Sequence, residues 1–246
     1  MNNQSTAIDS TLFAPGPARD RRFVVKDRWI ECDTFPDGHP QRVIEFLHRQ
    51  MNEEVDSLES SARNLDDFPD ARWELRMCLA RQCADEARHA VMFRLLFEKR
   101  GGEVGQYPVL NFQYRIITQF DNLAARLAIQ NRSFEAGGID AITHGIKEAR
   151  RDGDFELAEL YEAQCADEIS HVRFANDWIR ILCQEDPMNL VRIGKAMDTA
   201  SKAFVAVMGE EGTEGVDYPA DVEGRLEAGF TPSEVEITAQ LRLPAL

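Results

Sequence analysis

The chain has 246 residues, 43% hydrophobic and 29% charged, which is enough for one sizeable buried core and matches an ordinary globular protein. Its formal net charge of −15 disfavours non-specific contact with nucleic acid or an anionic membrane. No apolar run reaches bilayer length, and the N-terminal twenty residues carry neither the basic nor the apolar region of a secretory signal. Five cysteines without CxxC spacing read as reduced thiols, so the expected location is cytoplasmic, with no nucleic-acid and no membrane partner.

Residues 1–38, with Pro15, Pro17, Pro36 and Gly38, show little periodicity and are expected to form an irregular arm. A first helix is predicted from Pro40 to about Ala62, with the apolar stripe Ile44, Leu47, Met51, Val55, Leu58. A second should start near Pro69 or Asp70 and stop at Gly101-Gly102; its stripe Leu75, Leu79, Cys83, Glu86, Ala90, Phe93 holds a glutamate at an apolar position. A third is predicted over 112–136, stopped by Gly137-Gly138, and a shorter one over 139–150. Asp154 should cap a fourth long helix that ends before Pro187. A further amphipathic helix is expected over 188–208, then an acidic tail in which Thr231-Pro232-Ser233-Glu234 starts one last short helix. The domain reading is therefore an arm (1–38), an all-α four-helix bundle (39–186), and a C-terminal helix with its tail (187–246).

Two stretches nearly duplicate each other at an offset of 82 residues: Gln82-Cys83-Ala84-Asp85-Glu86-Ala87-Arg88-His89 and Gln164-Cys165-Ala166-Asp167-Glu168-Ile169-Ser170-His171. Each carries Glu-x-x-His inside a predicted helix. Residues three apart lie about 60° apart on a helix face, so a carboxylate and an imidazole there reach one ion. One glutamate on each of two further helices completes a two-metal arrangement, and Glu54 and Glu135 stand 32 and 33 residues before Glu86 and Glu168. Glu54 rather than Glu53 continues the apolar stripe. A third Glu-x-x-His, Glu45 with His48, falls about 180° and about 120° off that stripe and is expected on the surface or flank. A surface pair is the common reading of an isolated Glu-x-x-His, but six ionisable groups on apolar faces demand compensation, which metal ions supply.

Asp85 and Asp167 sit about 100° from their glutamates and are expected to take the free N–H of the opposite histidine, Asp167 with His89 and Asp85 with His171. Tyr161 and Asn131 share the ligand faces as neighbours of the centre, Tyr161 reading first as packing. Cys83 and Cys165 read as small core residues, since the carboxylate-rich set favours harder ions than thiolates do. His39 and His144 carry no visible chemistry.

The paired DExxH motifs with partner glutamates resemble the ferritin-like di-iron carboxylate superfamily. Arg126-Leu127-Ala128 through Phe134-Glu135-Ala136-Gly137-Gly138-Ile139-Asp140, with Asp167-Glu168-Ile169-Ser170-His171-Val172, Trp178 and Leu182-Cys183, is similar to one branch of it, the domain-of-unknown-function family 455. The resemblance covers roughly 40–185; Asn52 stands where the branch usually has a histidine. It implies a ferritin-like bundle with Glu86 and Glu168 bridging two iron ions and Glu54 and Glu135 binding one each, manganese or a manganese–iron pair being open alternatives. It further implies an O2-dependent oxidase or hydroxylase of a small organic substrate, supplied by an external electron donor, with a homodimer as an allowed assembly. Ferroxidation and iron storage, a rubrerythrin-like peroxidase and a tRNA-modifying hydroxylase stay open beside it, although the CxxC pairs of ordinary rubrerythrins are absent and the acidity disfavours tRNA.

Overall fold

In the computed structural model, which describes residues 8–36, 38–209 and 218–241, helix α1 (Pro40–Asp67) starts where His39 Nδ1 accepts the Gln41 N–H at 3.2 Å and Pro40 fills the first helical position. Residues 1–7 of the predicted arm and 210–217 of the predicted acidic tail lie outside the described residues. Helix α1 runs to Asp67, beyond the expected Ala62, because Arg76 Nη1 donates to the carbonyls of Leu65 and Phe68 at 2.9 Å and satisfies its open end. The chain turns through Pro69-Asp70, so α2 (Trp73–Lys99) begins three to four residues later than predicted. It ends as expected at Gly101-Gly102. There Gly101 takes φ +85°, its N–H reaches Glu98 O at 3.0 Å, and the Gly102 N–H reaches Phe97 O at 3.0 Å.

The predicted helix over 112–136 is not one helix. Helix α3 (Phe112–Ile117) stops, and α4 (Leu123–Ile129) restarts with Asn122 Oδ1 accepting the Ala125 N–H at 2.9 Å. The break survives in the interior because buried Arg126 donates to Phe120 O (2.6 Å) and Thr118 O (3.2 Å), with its charge met by Asp67 at 2.7 Å. From α4 the helix passes through a π-helical segment (Gln130–Glu135) straight into α5 (Ala136–Arg151). Gly137-Gly138 therefore does not stop it. A glycine ends a helix by taking positive φ, which Gly137 and Gly138 do not; Gly153 does, at φ +78°, with the Asp154 N–H reaching back to Ala149 O at 2.8 Å. Asp154 caps α6 (Phe155–Glu185) as predicted, Oδ1 accepting the Leu157 N–H at 3.2 Å.

Helix α7 (Met188–Met208) follows, and α8 (Val222–Glu227) and α9 (Pro232–Leu241) close the described chain. The sequence reading missed α8, which is fastened by Arg225 Nη2 to Asp140 Oδ2 at 2.6 Å, both buried. The fold is all-α. The described residues hold only two two-residue strands, β1 (Val25–Lys26) of the arm and β2 (Val109–Leu110), paired in parallel.

Helices α1 and α2 pack as one pair and α5 and α6 as another, while α2 and α4 both pack on α6. Short links make each pair antiparallel, which sets the axial order of side chains. Leu47, Met51, Phe93, Phe97, Leu157 and Tyr161 form one apolar layer, and Leu75, Leu79, Leu123, Leu127 and Ala175 form another. Full burial of side chains such as Phe93, Leu79 and Leu127 (0% exposed) contributes about 1.5–3 kcal/mol each. Between these two layers lie the polar residues of the site.

Of the surface or flank position expected for Glu45 and His48, the flank holds and the exposure does not. Glu45 and His48 are buried, at 6% and 0% exposed, because the arm and the loop before β2 cover that side of α1. Phe23, Phe97 and Tyr107 surround the His48 ring, and Nε2 accepts the Gly105 N–H at 2.9 Å. Burial pushes His48 down to about 4, so it is a neutral packing histidine. Glu45 pairs with Arg49 at 3.1 Å and belongs to the same covered flank, away from the site.

Candidate metal centre

Six residues from four helical segments meet between the two layers: Glu54 on α1, Glu86 and His89 on α2, Glu135 at the end of the π-helical segment, and Glu168 and His171 on α6. All are buried, with exposures from 0% to 8%. They fall into two overlapping groups, Glu54–Glu86–His89–Glu168 and Glu86–Glu135–Glu168–His171, each with four ligand atoms within 4.8 Å of one another. Glu86 and Glu168 belong to both groups, whereas each histidine and each remaining glutamate belongs to one.

The π-helical segment is part of how Glu135 arrives. Leu123, Leu127, Asn131 and Glu135 recur every four residues, a spacing that over-rotates by about 40° per step in an α-helix. A wider i→i+5 turn restores the alignment near Glu135, in keeping with the frequent use of such turns at functional sites.

Both histidines point Nδ1 into the carboxylates. His89 Nδ1 lies 3.0 Å from Glu86, 3.3 Å from Glu54 and 3.7 Å from Glu168. His171 Nδ1 lies 3.5 Å from Glu86 and 3.8 Å from Glu168. The opposite nitrogens make the crossed contacts expected from the sequence: His89 Nε2 to Asp167 at 3.2 Å and His171 Nε2 to Asp85 at 3.3 Å. An Nε2–H held by a carboxylate leaves the Nδ1 lone pair directed at the cluster. Arg88 donates to both aspartates and Arg81 to Asp85 at 3.2 Å, which neutralises the acidic pair on its exposed side.

Residues that the sequence reading passed over tether the carboxylates. The Ser57 hydroxyl is shared between Glu86 (2.9 Å) and Glu135 (3.1 Å). Gln82 Nε2 donates to Glu135 and to Glu86 (3.3 Å), and Gln164 Nε2 donates to Glu54 at 2.8 Å. Gln82 and Gln164 occupy the same position of the repeat, and each reaches the single-group glutamate of the other helix pair. That identity was the available signal; Ser57 offered none. Asn131 Nδ2 donates to Glu135 at 2.7 Å, whereas Tyr161 packs edge-on against Phe46 and Phe93. Cys83 and Cys165 are half-buried, and burial raises both thiols above their ordinary range, Cys83 to about 11.

The electrostatics are those of a cluster built around positive charge. Burial and the neighbouring carboxylates raise Glu135 to about 8. Burial also raises Glu54, well above its usual range, and Glu168, against the opposing effect of the nearby histidines. Burial would raise Glu86 as well, but His89, His171 and Ser57 outweigh it and hold its carboxyl low. Burial works against charge on the histidines too, yet the surrounding glutamates lift His89 to about 11 and His171 to about 10. Glu168 Oε2 and His171 Nδ1 are two of the five buried side-chain atoms among the described residues that lack a hydrogen-bond partner; Asn131 Oδ1, Gln164 Oε1 and His48 Nδ1 are the others. Unpaired polar atoms in such surroundings are costly; a cation would take the Glu168 oxygen and, once the proton on Nδ1 is displaced, the His171 nitrogen. The donor set, oxygen-rich with two imidazoles, fits a metal ion of the harder divalent kind.

No helix among the described residues is long and apolar enough to cross a membrane. A search of curated proteins found no match, and neither did a search of solved structures. The family described as "Protein of unknown function (DUF455)" matches residues 3–236, nearly the whole chain, and the protein belongs to that family.

Proposed function

We propose that the chain is a ferritin-like bundle holding two metal ions, iron or its manganese or manganese–iron counterparts, and that it is an O2-dependent oxidoreductase acting on a small organic substrate. The observation that carries this reading is the sharing of Glu86 and Glu168 between two four-residue groups, each completed by one histidine and one glutamate. That pattern suits two ions with Glu86 and Glu168 between them, Glu54 and His89 on one, and Glu135 and His171 on the other. A pair of redox-active ions in such a set supplies electrons for the reduction of dioxygen.

The chain's own residues have definable parts in that chemistry. Asp167 and Asp85 hold His89 and His171 with Nδ1 inward. Gln82, Gln164, Asn131 and Ser57 fix the carboxylate planes. The apolar layers above and below exclude water from reactive species. Burial pushes the Tyr161 phenol upward, so it keeps its proton and serves as a wall of the site. An external donor would return the electrons, in a cytoplasmic setting, to a monomer or homodimer.

The test is anaerobic ferrous loading followed by rapid mixing with oxygenated buffer and candidate substrates. Rapid oxidation whose decay depends on a substrate, and which is lost in Glu86→Ala and His171→Ala, is the expected result. Ferrous protein that stays reduced in air, or is oxidised with no dependence on any substrate, contradicts the oxidoreductase reading.

A further inference from the structure

The two halves of the cluster are tethered unequally. Glu135 accepts from Asn131 Nδ2 at 2.7 Å, from Ser57 Oγ at 3.1 Å and from Gln82 Nε2, with Gln130 Nε2 a further 3.5 Å contact. These donors are themselves held: Asn131 Nδ2 also donates to Gln82 Oε1 at 3.1 Å, and Gln130 Nε2 to Ser61 Oγ at 2.9 Å. Three of these contacts fall on Oε1 and one on Oε2, so the network orients Glu135, leaves little freedom to lose and keeps a lone pair of Oε2 for an ion. Glu54 is held very differently. Its contacts are Gln164 Nε2 at 2.8 Å and His89 Nδ1 at 3.3 Å, the latter being the nitrogen an ion would take.

The sequence explains the inequality. Asn131 stands four residues before Glu135; the residue four before Glu54 is Gln50, which donates to Glu53 at 2.8 Å and so turns away. Ser57, one turn after Glu54 on the same helix, serves Glu86 and Glu135 instead. The unpartnered amide oxygens, Gln164 Oε1 and Asn131 Oδ1, occur one in each half and do not separate them.

Resting on the two-metal reading above, we infer that the two positions are inequivalent. The Glu135–His171 position is preorganised and tight; the Glu54–His89 position is weak and adaptable, with Gln164 as its positioning residue. A long glutamate side chain that is ordered in advance costs less to fix on binding, whereas Glu54 must be fixed by the ion and one amide. The adaptable position is then the one where coordination can change as external ligands enter.

Anaerobic titration of metal-free protein with Co(II) alone, followed by calorimetry and by the visible absorption of the bound ion, tests this. Two successive binding events are expected, the first roughly 10-fold or more tighter. Gln164→Met should weaken only the second event, by roughly 10–100-fold, and alter only its spectrum; Asn131→Leu should weaken the first. Melting curves of the metal-free variants check folding, and Gln164→Asn, which shortens the same amide, carries the same expectation should Gln164→Met not fold. Two ions of indistinguishable affinity, or equal weakening of both by Gln164→Met, would overturn the inference and leave the two-metal reading standing. No binding of Co(II) at all would overturn that reading itself.

Discussion

Loading the centre with two divalent ions near neutral pH should expel three to four protons, because protons stand in for the cations beforehand. Four ionised glutamates and two neutral imidazoles carry −4, which two divalent ions cancel. In the metal-free protein His89 and His171, raised to about 11 and about 10, give +2, and Glu135, raised to about 8, is uncharged, which leaves −1 until a fourth proton is taken up. Glu86, held low, remains ionised, and Glu54, raised well above its usual range, is the next proton carrier. Displacing the protons of His89, His171 and Glu135 alone makes the apparent binding constant climb about a thousandfold per pH unit while all three are bound. The assay is calorimetric metal titration at pH 7 in two buffers of different ionisation heat, whose slope counts the protons. Release of fewer than one proton, or affinity that falls between pH 6 and 8, would refute this charge balance.

The same shifts fix the sign of the metal-free protein's pH dependence. The raised histidines stabilise the fold below their unfolded value, and that contribution is lost as pH passes about 10 and about 11. Raised Glu135 adds a penalty that grows above its unfolded value and is complete beyond about 8, so denaturant midpoints should fall from about pH 6 to 9, and a rise would contradict the assignment. Arg225→Ala removes the cation that meets buried Asp140, which still accepts the Asp221 N–H, and should cost about 3–5 kcal/mol in chemical unfolding; a loss below about 1 kcal/mol would mean that α8 does not anchor there. Phe93→Ala, at a wholly buried position, should also cost about 3–5 kcal/mol by the same measurement, unless the apolar layer is looser than described. Gly153→Ala should lower stability by about 1–2 kcal/mol, whereas Gly138→Ala, helical and facing open space, should raise it by about 0.5–1 kcal/mol; equal losses would mean that Gly138 is a helix stop after all.

Residues that recur were the easiest to read. The duplicated octapeptide announced Glu86, His89, Glu168 and His171, and helical spacing then found Glu54 and Glu135 from the same faces. Local residues placed the starts of α1 and α6: Pro40 fits the first helical turn, and Asp154 caps an N–H three residues away, whereas the cap that His39 provides was not read. What escaped depended on distant partners. The α3–α4 break is held by Arg126, whose partner Asp67 lies 59 residues away. Gly137-Gly138 looked like a stop because residue identity permits positive φ without requiring it. The burial of His48 on its flank escaped because a helical wheel cannot know that the arm, with Phe23, will cover it. The arm itself is fastened by buried Arg19, which reaches Asp56 at 2.9 Å and Asn52 at 3.2 Å, contacts that span more than thirty residues. Asn52 is thereby a structural residue, also donating to Leu110 O at 2.6 Å.

The central claim is that Glu86 and Glu168 lie between two ions, and anomalous scattering from crystals of iron-loaded protein, measured at the iron edge, tests it most directly. Two peaks are expected between Glu86 and Glu168, one beside His89 Nδ1 and Glu54 and the other beside His171 Nδ1 and Glu135. A single peak, or peaks bound by other residues, would contradict the account.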